Sequence, residues 1–83
     1  MTSISQLVML IYKNRRLLES SKVAGCLKCC EIIQINEINS YTDDNQTCIC
    51  PKCGHDTIIC DQTGYEITTQ SLMNANKYIF KKN

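Results

Sequence analysis

Histidine is almost missing from this chain: His55 is the only one. A nuclease of the His-Asn-His type also uses zinc knuckles, but it needs histidines for a second metal and for a general base, so one is too few. Long apolar runs are missing as well. The stretch Leu7 to Ile11 is far shorter than the roughly 20 residues a membrane helix requires. It has no basic region ahead of it and no small-residue cleavage site behind it, so no secretory signal is expected. Neither sign of charge dominates. Nine Lys and Arg stand against eight Asp and Glu, and the net charge of +1 by itself says nothing about partners. Low-complexity tracts and internal repeats are absent apart from one paired motif.

That motif is cysteine. Seven cysteines occur in 83 residues, and four of them form Cys26-Leu27-Lys28-Cys29 and Cys50-Pro51-Lys52-Cys53-Gly54. The intervening loop, residues 30–49, has the length found between the halves of a four-thiolate zinc site. Zinc takes soft ligands at tetrahedral corners, and a structural site is closed when all four come from protein. Two residues between cysteines let the chain curl so that both sulfurs reach one metal. Pro51 stiffens the second turn, and Gly54 can take the positive φ that leaves it. Cys26, Cys29, Cys50 and Cys53 are therefore the expected ligands of one structural Zn²⁺. Disulfides are the competing staple for so small a core, but an odd cysteine count and this spacing favour metal and a reducing cytoplasm.

Three cysteines remain. Cys30, Cys48 and Cys60 read as small hydrophobes in a tight core, or else as exchangeable ligands or redox groups. His55, at the exit of the second knuckle, is either a fifth candidate ligand or a neighbour of the site. A closed four-cysteine site leaves no open position for catalytic water, so no enzyme is expected.

Ile4, Leu7, Val8, Ile11 and Leu18 follow helical spacing, with Leu10 and Leu17 widening the stripe. Ser3 and Gln6 fit a capping box, and Gly25 reads as a stop, which places a first helix at about 4–21. Glu31 to Ile35 reads as a strand, Asp43-Asp44-Asn45 as a turn, and Gln46 to Ile49 and Thr57 to Cys60 as strands flanking the second knuckle in a hairpin. Asp61 to Gly64 is a turn. Thr68 and Thr69 are candidate caps for a last helix at about 68–80, whose face carries Leu72, Met73, Asn76, Ile79 and Phe80. Lys77, Lys81 and Lys82 suit its C-terminal pole. The expected fold is a single α+β domain over residues 1–83, with a zinc ribbon at about 25–62 between two helices.

Along that order the chain resembles an uncharacterised family of small bacterial and phage zinc-ribbon proteins. The resemblance is carried by Asn14 to Ser21, Gly25 to Cys29, Glu37-Ile38, Tyr41-Thr42-Asp43, Gln46 to Gly54, Asp56 to Ile59 and Gly64 to Thr68. It covers about residues 14 to 80. The family typically has an aromatic residue between the first cysteines, a tryptophan near Tyr41 and an aliphatic residue at the position of His55. This chain has Leu27-Lys28, Tyr41 and His55 there. The resemblance implies zinc binding and no established activity.

Charge is unevenly spread: residues 1–30 carry +4, residues 31–66 carry −6, and Lys77, Lys81 and Lys82 follow. Internal complementarity accounts for such blocks as well as a nucleic-acid footprint does. An acidic hairpin repels phosphate, so DNA or RNA would have to use Lys13, Arg15 and Arg16 of the first helix. The same helix offers a second reading. Leu10, Tyr12 and Leu17, with Arg15 and Arg16 beside them, exceed what a small ribbon can cover and form a candidate surface for a protein partner or a second copy. The expected function is that of a small adaptor or modulator, on the analogy of a phage-type regulator of a host protein.

Overall fold

The computed structural model describes residues 4–80, with side chains from residue 6 onward. Ser3, Lys81 and Lys82, named above, lie outside the described residues. The chain is a small α+β fold in which a central antiparallel sheet separates a helical layer from a cysteine-rich layer.

The central sheet has the order β2-β1-β5, built from β1 (Val23–Cys26), β2 (Ile32–Gln34) and β5 (Ile58–Cys60). Gly25 pairs with Ile32 on one side and Ile59 on the other, while Ala24 pairs with Ile33 and Cys60. Because side chains alternate across a sheet, this register sorts them into two cores. Ala24, Cys26, Ile33, Ile58 and Cys60 join Leu18, Ile38, Cys48 and Cys50 on one side. Leu27 and Ile59 join Leu7, Ile11, Leu72 and Ala75 on the other.

Gly25 is thus a strand residue, where the sequence pattern predicts a helix stop. A Cβ there would sit 2.7 Å from Leu72 Cδ1, so the bare backbone makes room for the last helix to dock. That helix, α3 (Thr69–Ile79), matches its expected span closely, and its cap is reciprocal. Ser71 N donates to Thr68 Oγ1 and Thr68 N to Ser71 Oγ, each at 3.1 Å.

The single first helix expected at about 4–21 does not form. The chain makes α1 (Ile4–Leu10) and α2 (Arg15–Glu19), broken at Lys13, whose φ is +52. Asn14 explains the break. It is fully buried, its Nδ2 donates to the Ile58 carbonyl at 2.7 Å, and its Oδ1 accepts from the Cys48 amide at 3.0 Å. Lys13 N donates to the buried Thr47 Oγ1 at 2.8 Å. Two tertiary hydrogen bonds to strand backbone, each worth about 1 kcal/mol net, outweigh the continuation of a helical stripe. The stripe is consequently divided: Leu7 and Ile11 pack in the helical layer, and Leu18 packs on the cysteine side.

The hairpin expected between residues 46–49 and 57–60 also differs. β4 (Thr47–Cys48) pairs with β3 (Tyr41–Thr42), and β5 pairs with β1. Asp43, Asp44 and Asn45 close the β3-β4 hairpin with three successive positive φ angles, 55, 58 and 64, at residue types that tolerate the left-handed region. Between β4 and β5 the Asn14 side chain stands where a ladder would run.

Candidate metal centre

Each CxxC pair is folded by the same local rule. In the first, the Cys26 amide donates to the Glu31 carbonyl at 3.0 Å and the Cys30 amide to the Cys26 carbonyl at 2.9 Å. In the second, the Cys50 amide donates to the His55 carbonyl and the Gly54 amide to the Cys50 carbonyl, both at 2.9 Å. The turn is left in each case through a left-handed residue, Cys30 at φ +62 and Gly54 at φ +77. β1 delivers the first knuckle and β4 leads into the second, so the two face one another beside the sheet.

The four sulfurs of Cys26, Cys29, Cys50 and Cys53 all lie within 4.8 Å of one another. Cys26 Sγ is 3.5 Å from Cys53 Sγ, and Cys29 Sγ is 3.7 Å from Cys50 Sγ. Zn–S bonds of about 2.3 Å set a tetrahedral edge of roughly 3.8 Å, so these separations suit one ion and exceed the ~2.05 Å of a disulfide. Cys26 and Cys50 are buried, while Cys29 and Cys53 are half-buried at the rim.

Amide donors and other polar groups surround the sulfurs. The Cys29 amide points at Cys26 Sγ (3.5 Å) and the Lys52 amide at Cys50 Sγ (3.4 Å). Thr57 Oγ1 lies 3.2 Å from Cys26 Sγ, and His55 Nδ1 lies 3.4 Å from Cys53 Sγ. Burial pushes the Cys26 thiol up, but the Cys29 amide, the Thr57 hydroxyl and the Lys28 amide outweigh it and bring it below its ordinary value. For Cys29 and Cys53 burial wins, reinforced by the neighbouring sulfurs of Cys26 and Cys50, and both are raised. A thiolate at Cys26 therefore opposes the ionisation of Cys29 and Cys53. A cation among the four sulfurs reverses that balance, which is what a thiolate metal site does.

Cys30, Cys48 and Cys60 stand outside the group of four. Cys30 packs in the helical layer. Cys48 and Cys60 are buried on the opposite side, and burial pushes them up to about 12 and about 11. His55 is exposed and touches the group of four through Cys53 Sγ.

The residues of the candidate partner surface fall on either side of the break at Lys13, with Leu10 and Tyr12 before it and Arg15, Arg16 and Leu17 sharing one groove after it. Leu10 is half-buried against the helical core, beside Gln6 and Met9, and Tyr12 is exposed. Leu17 is half-buried against the cysteine-side core. Arg15 stacks on the Tyr41 ring at 4.2 Å and donates through Nη1 to the Asn45 carbonyl at 3.0 Å. Arg15, Arg16 and Lys13 line one open groove of about 560 Å³ with Leu17, Glu19 and Gln46.

Three contacts that position the cysteine knuckles and their strands are not visible in the sequence pattern: Thr57 on Cys26, Asn14 between β4 and β5, and Asn76. Asn76 Nδ2 donates to the carbonyls of Leu27 at 2.8 Å and Lys28 at 3.1 Å. Both asparagines carried a signal, a polar amide set in an apolar helical stripe, which needs partners wherever it is buried. No helix among the described residues is long and apolar enough to cross a membrane. No family model, curated protein or solved structure matches the chain.

Proposed function

We propose that this chain is a small zinc-binding adaptor or modulator that acts by docking on another protein. The observation that carries the metal half is the approach of four cysteine sulfurs to within 4.8 Å. Two equivalent knuckles with amide donors aimed at sulfur support it. Zinc is the natural occupant of a closed four-thiolate site, where it would act as a structural cross-link between the halves of a small fold. Four protein ligands leave no coordination position for substrate, so the proposal includes no catalysis. Seven free thiols fit a reducing compartment such as the cytoplasm. The resemblance to bacterial and phage zinc ribbons fits a modulator of a host protein.

The docking half is supported by α1 and the two residues that follow it. Val8, Met9 and Tyr12 are 40%, 78% and 53% exposed on this short segment, an apolar density beyond what a solvated helix needs. A second reading, nucleic-acid binding, draws on the groove shared by Lys13, Arg15 and Arg16. It is weakened by Arg15, whose guanidinium is already spent on Tyr41 and Asn45.

Native mass spectrometry from a reducing preparation tests both halves at once. One zinc per chain is expected, and a folded protein that takes up no zinc when it is supplied would sink the metal reading. Met9→Glu and Tyr12→Glu, at exposed positions, are expected to abolish association while the zinc content stays at one. Binding to DNA or RNA that falls steeply with salt and disappears in Arg16→Glu would instead favour the second reading.

A further inference from the structure

The two knuckles share their backbone hydrogen bonds but not their surroundings. In the first, helix α3 reaches over the two residues between the cysteines. Asn76 donates to both of their carbonyls, Leu27 and Lys28, and the Lys28 ammonium lies 4.6 Å over the Phe80 ring. Leu27 is completely buried between α1, α3 and β5. In the second, Pro51 and Lys52 are exposed, and among the described residues no side chain from another element grips their backbone. Its remaining hydrogen bonds are internal or run to the cysteine sulfurs themselves.

We infer that Asn76 holds the first knuckle as a preformed half-site for metal, and that the second knuckle closes over the ion. The inference rests on the metal-binding reading above. The physical basis is preorganisation: a ligand pair already fixed by the fold gives up less conformational freedom on binding. Asn76 sits on the third turn of α3, whose Leu72 and Ala75 are buried in the helical core, so its anchor does not depend on the metal. Asn76 is a positioning residue, acting on Cys26 and Cys29 through the carbonyls between them. Such outer contacts commonly tune metal affinity by about 10- to 100-fold.

Two amides at matching positions in the turns report the difference, once each is corrected for its intrinsic exchange rate. The Cys30 and Gly54 amides each donate at 2.9 Å to the carbonyl four residues earlier. In wild-type protein stripped by a chelator under reducing conditions, hydrogen exchange should protect Cys30 at least 10-fold more than Gly54. In Asn76→Ala that difference should vanish while Ile59 and Leu72 stay protected. Zinc affinity, by chelator competition, should fall about 10-fold. Asn76→Asp keeps the shape but sets a carboxylate against two carbonyl oxygens, and should lose at least as much. Asn74→Ala, an exposed position on the same helix, should leave affinity unchanged. Alanine is the better helix former, so a merely helical role for Asn76 predicts the opposite sign. Equal exchange of the two amides in metal-free wild type, or unchanged affinity in Asn76→Ala, overturns the inference alone. A wild type that takes up no zinc overturns the metal reading with it.

Discussion

The two knuckles reach the same turn by different means, and the contrast shows how local and tertiary forces can substitute for one another. The second is locally encoded. Pro51 limits the entry, and Gly54 supplies φ +77 with nothing within 4 Å of where a Cβ would stand. The first puts a β-carbon into the left-handed region at Cys30, φ +62, which local sterics oppose by about 1–2 kcal/mol. Burial of Leu27 and the Asn76 amide supply what glycine supplies in the second.

The largest effect should come from the ligands, where the knuckles are equals. Cys26→Ser and Cys50→Ser occupy matching positions, each donating its amide across its own turn. Structural zinc contributes about 10–16 kcal/mol of apparent binding free energy in small domains, so loss of either ligand should remove on the order of 5 kcal/mol or more. Circular dichroism melts with zinc stoichiometry should show both variants losing metal and melting at a markedly lower temperature than the zinc-loaded wild type. A Cys50→Ser protein that melts like wild type would break the equivalence of the two halves.

Next comes the tie between them. Asn14 joins β4, which leads into the second knuckle, to β5, which pairs beside the first. Asn14→Ala leaves the Cys48 amide and the Ile58 carbonyl unpaired in a buried setting, at about 1–3 kcal/mol each. Urea unfolding of the zinc-loaded protein should show a loss of about 2–6 kcal/mol. A loss below about 0.5 kcal/mol would mean that strand pairing elsewhere holds the halves without it.

Asn14 also marks the limit of what could be read in advance. The meeting of four cysteines is legible because CxxC spacing encodes the geometry of a turn within five residues. The α3 span was legible because its cap and its stripe are both local. The broken first helix was not. Its stripe from Leu7 to Leu18 scans as continuous, and only the distant partners of Asn14, on β4 and β5, decide against it. β1 was hidden for a related reason: in Val23-Ala24-Gly25-Cys26 the glycine that reads as a stop admits Leu72 from α3. The pairing of β4 with β3 was open to misreading because short strands beside a knuckle alternate alike whichever neighbour they take.

Exchanging the exit residues gives a smaller, signed effect. Gly54→Ala meets no steric neighbour, so its expected loss is the left-handed strain alone, about 1 kcal/mol. Cys30→Gly relieves similar strain, but it gives up a half-buried thiol and adds about 0.5–1 kcal/mol of unfolded-state freedom. Its net change should stay within about 0.5 kcal/mol of zero. Chevron or equilibrium urea measurements on the two variants separate them. A marked loss in Cys30→Gly would assign Cys30 a larger part than packing beside the first knuckle.

The smallest effect at neutral pH belongs to thiols that neither knuckle uses. Burial raises Cys60 to about 11 and Cys48 to about 12, from an ordinary 9.0. In the unfolded chain these thiols ionise near 9, whereas in the fold they remain neutral. The unfolded state thus binds fewer protons above pH 9, and stability falls as pH rises. The contribution is complete below pH 9 and drains away between 9 and about 11–12, at up to about 1.4 kcal/mol per pH unit for each thiol. Other groups and the metal titrate over the same range, so the slope must be isolated by difference. Urea midpoints for wild type and for Cys48→Ala with Cys60→Ala should run parallel from pH 7 to 9, then converge toward pH 11, the wild type falling faster. Curves that stay parallel to pH 11 would mean that both thiols are reached by water in the folded protein.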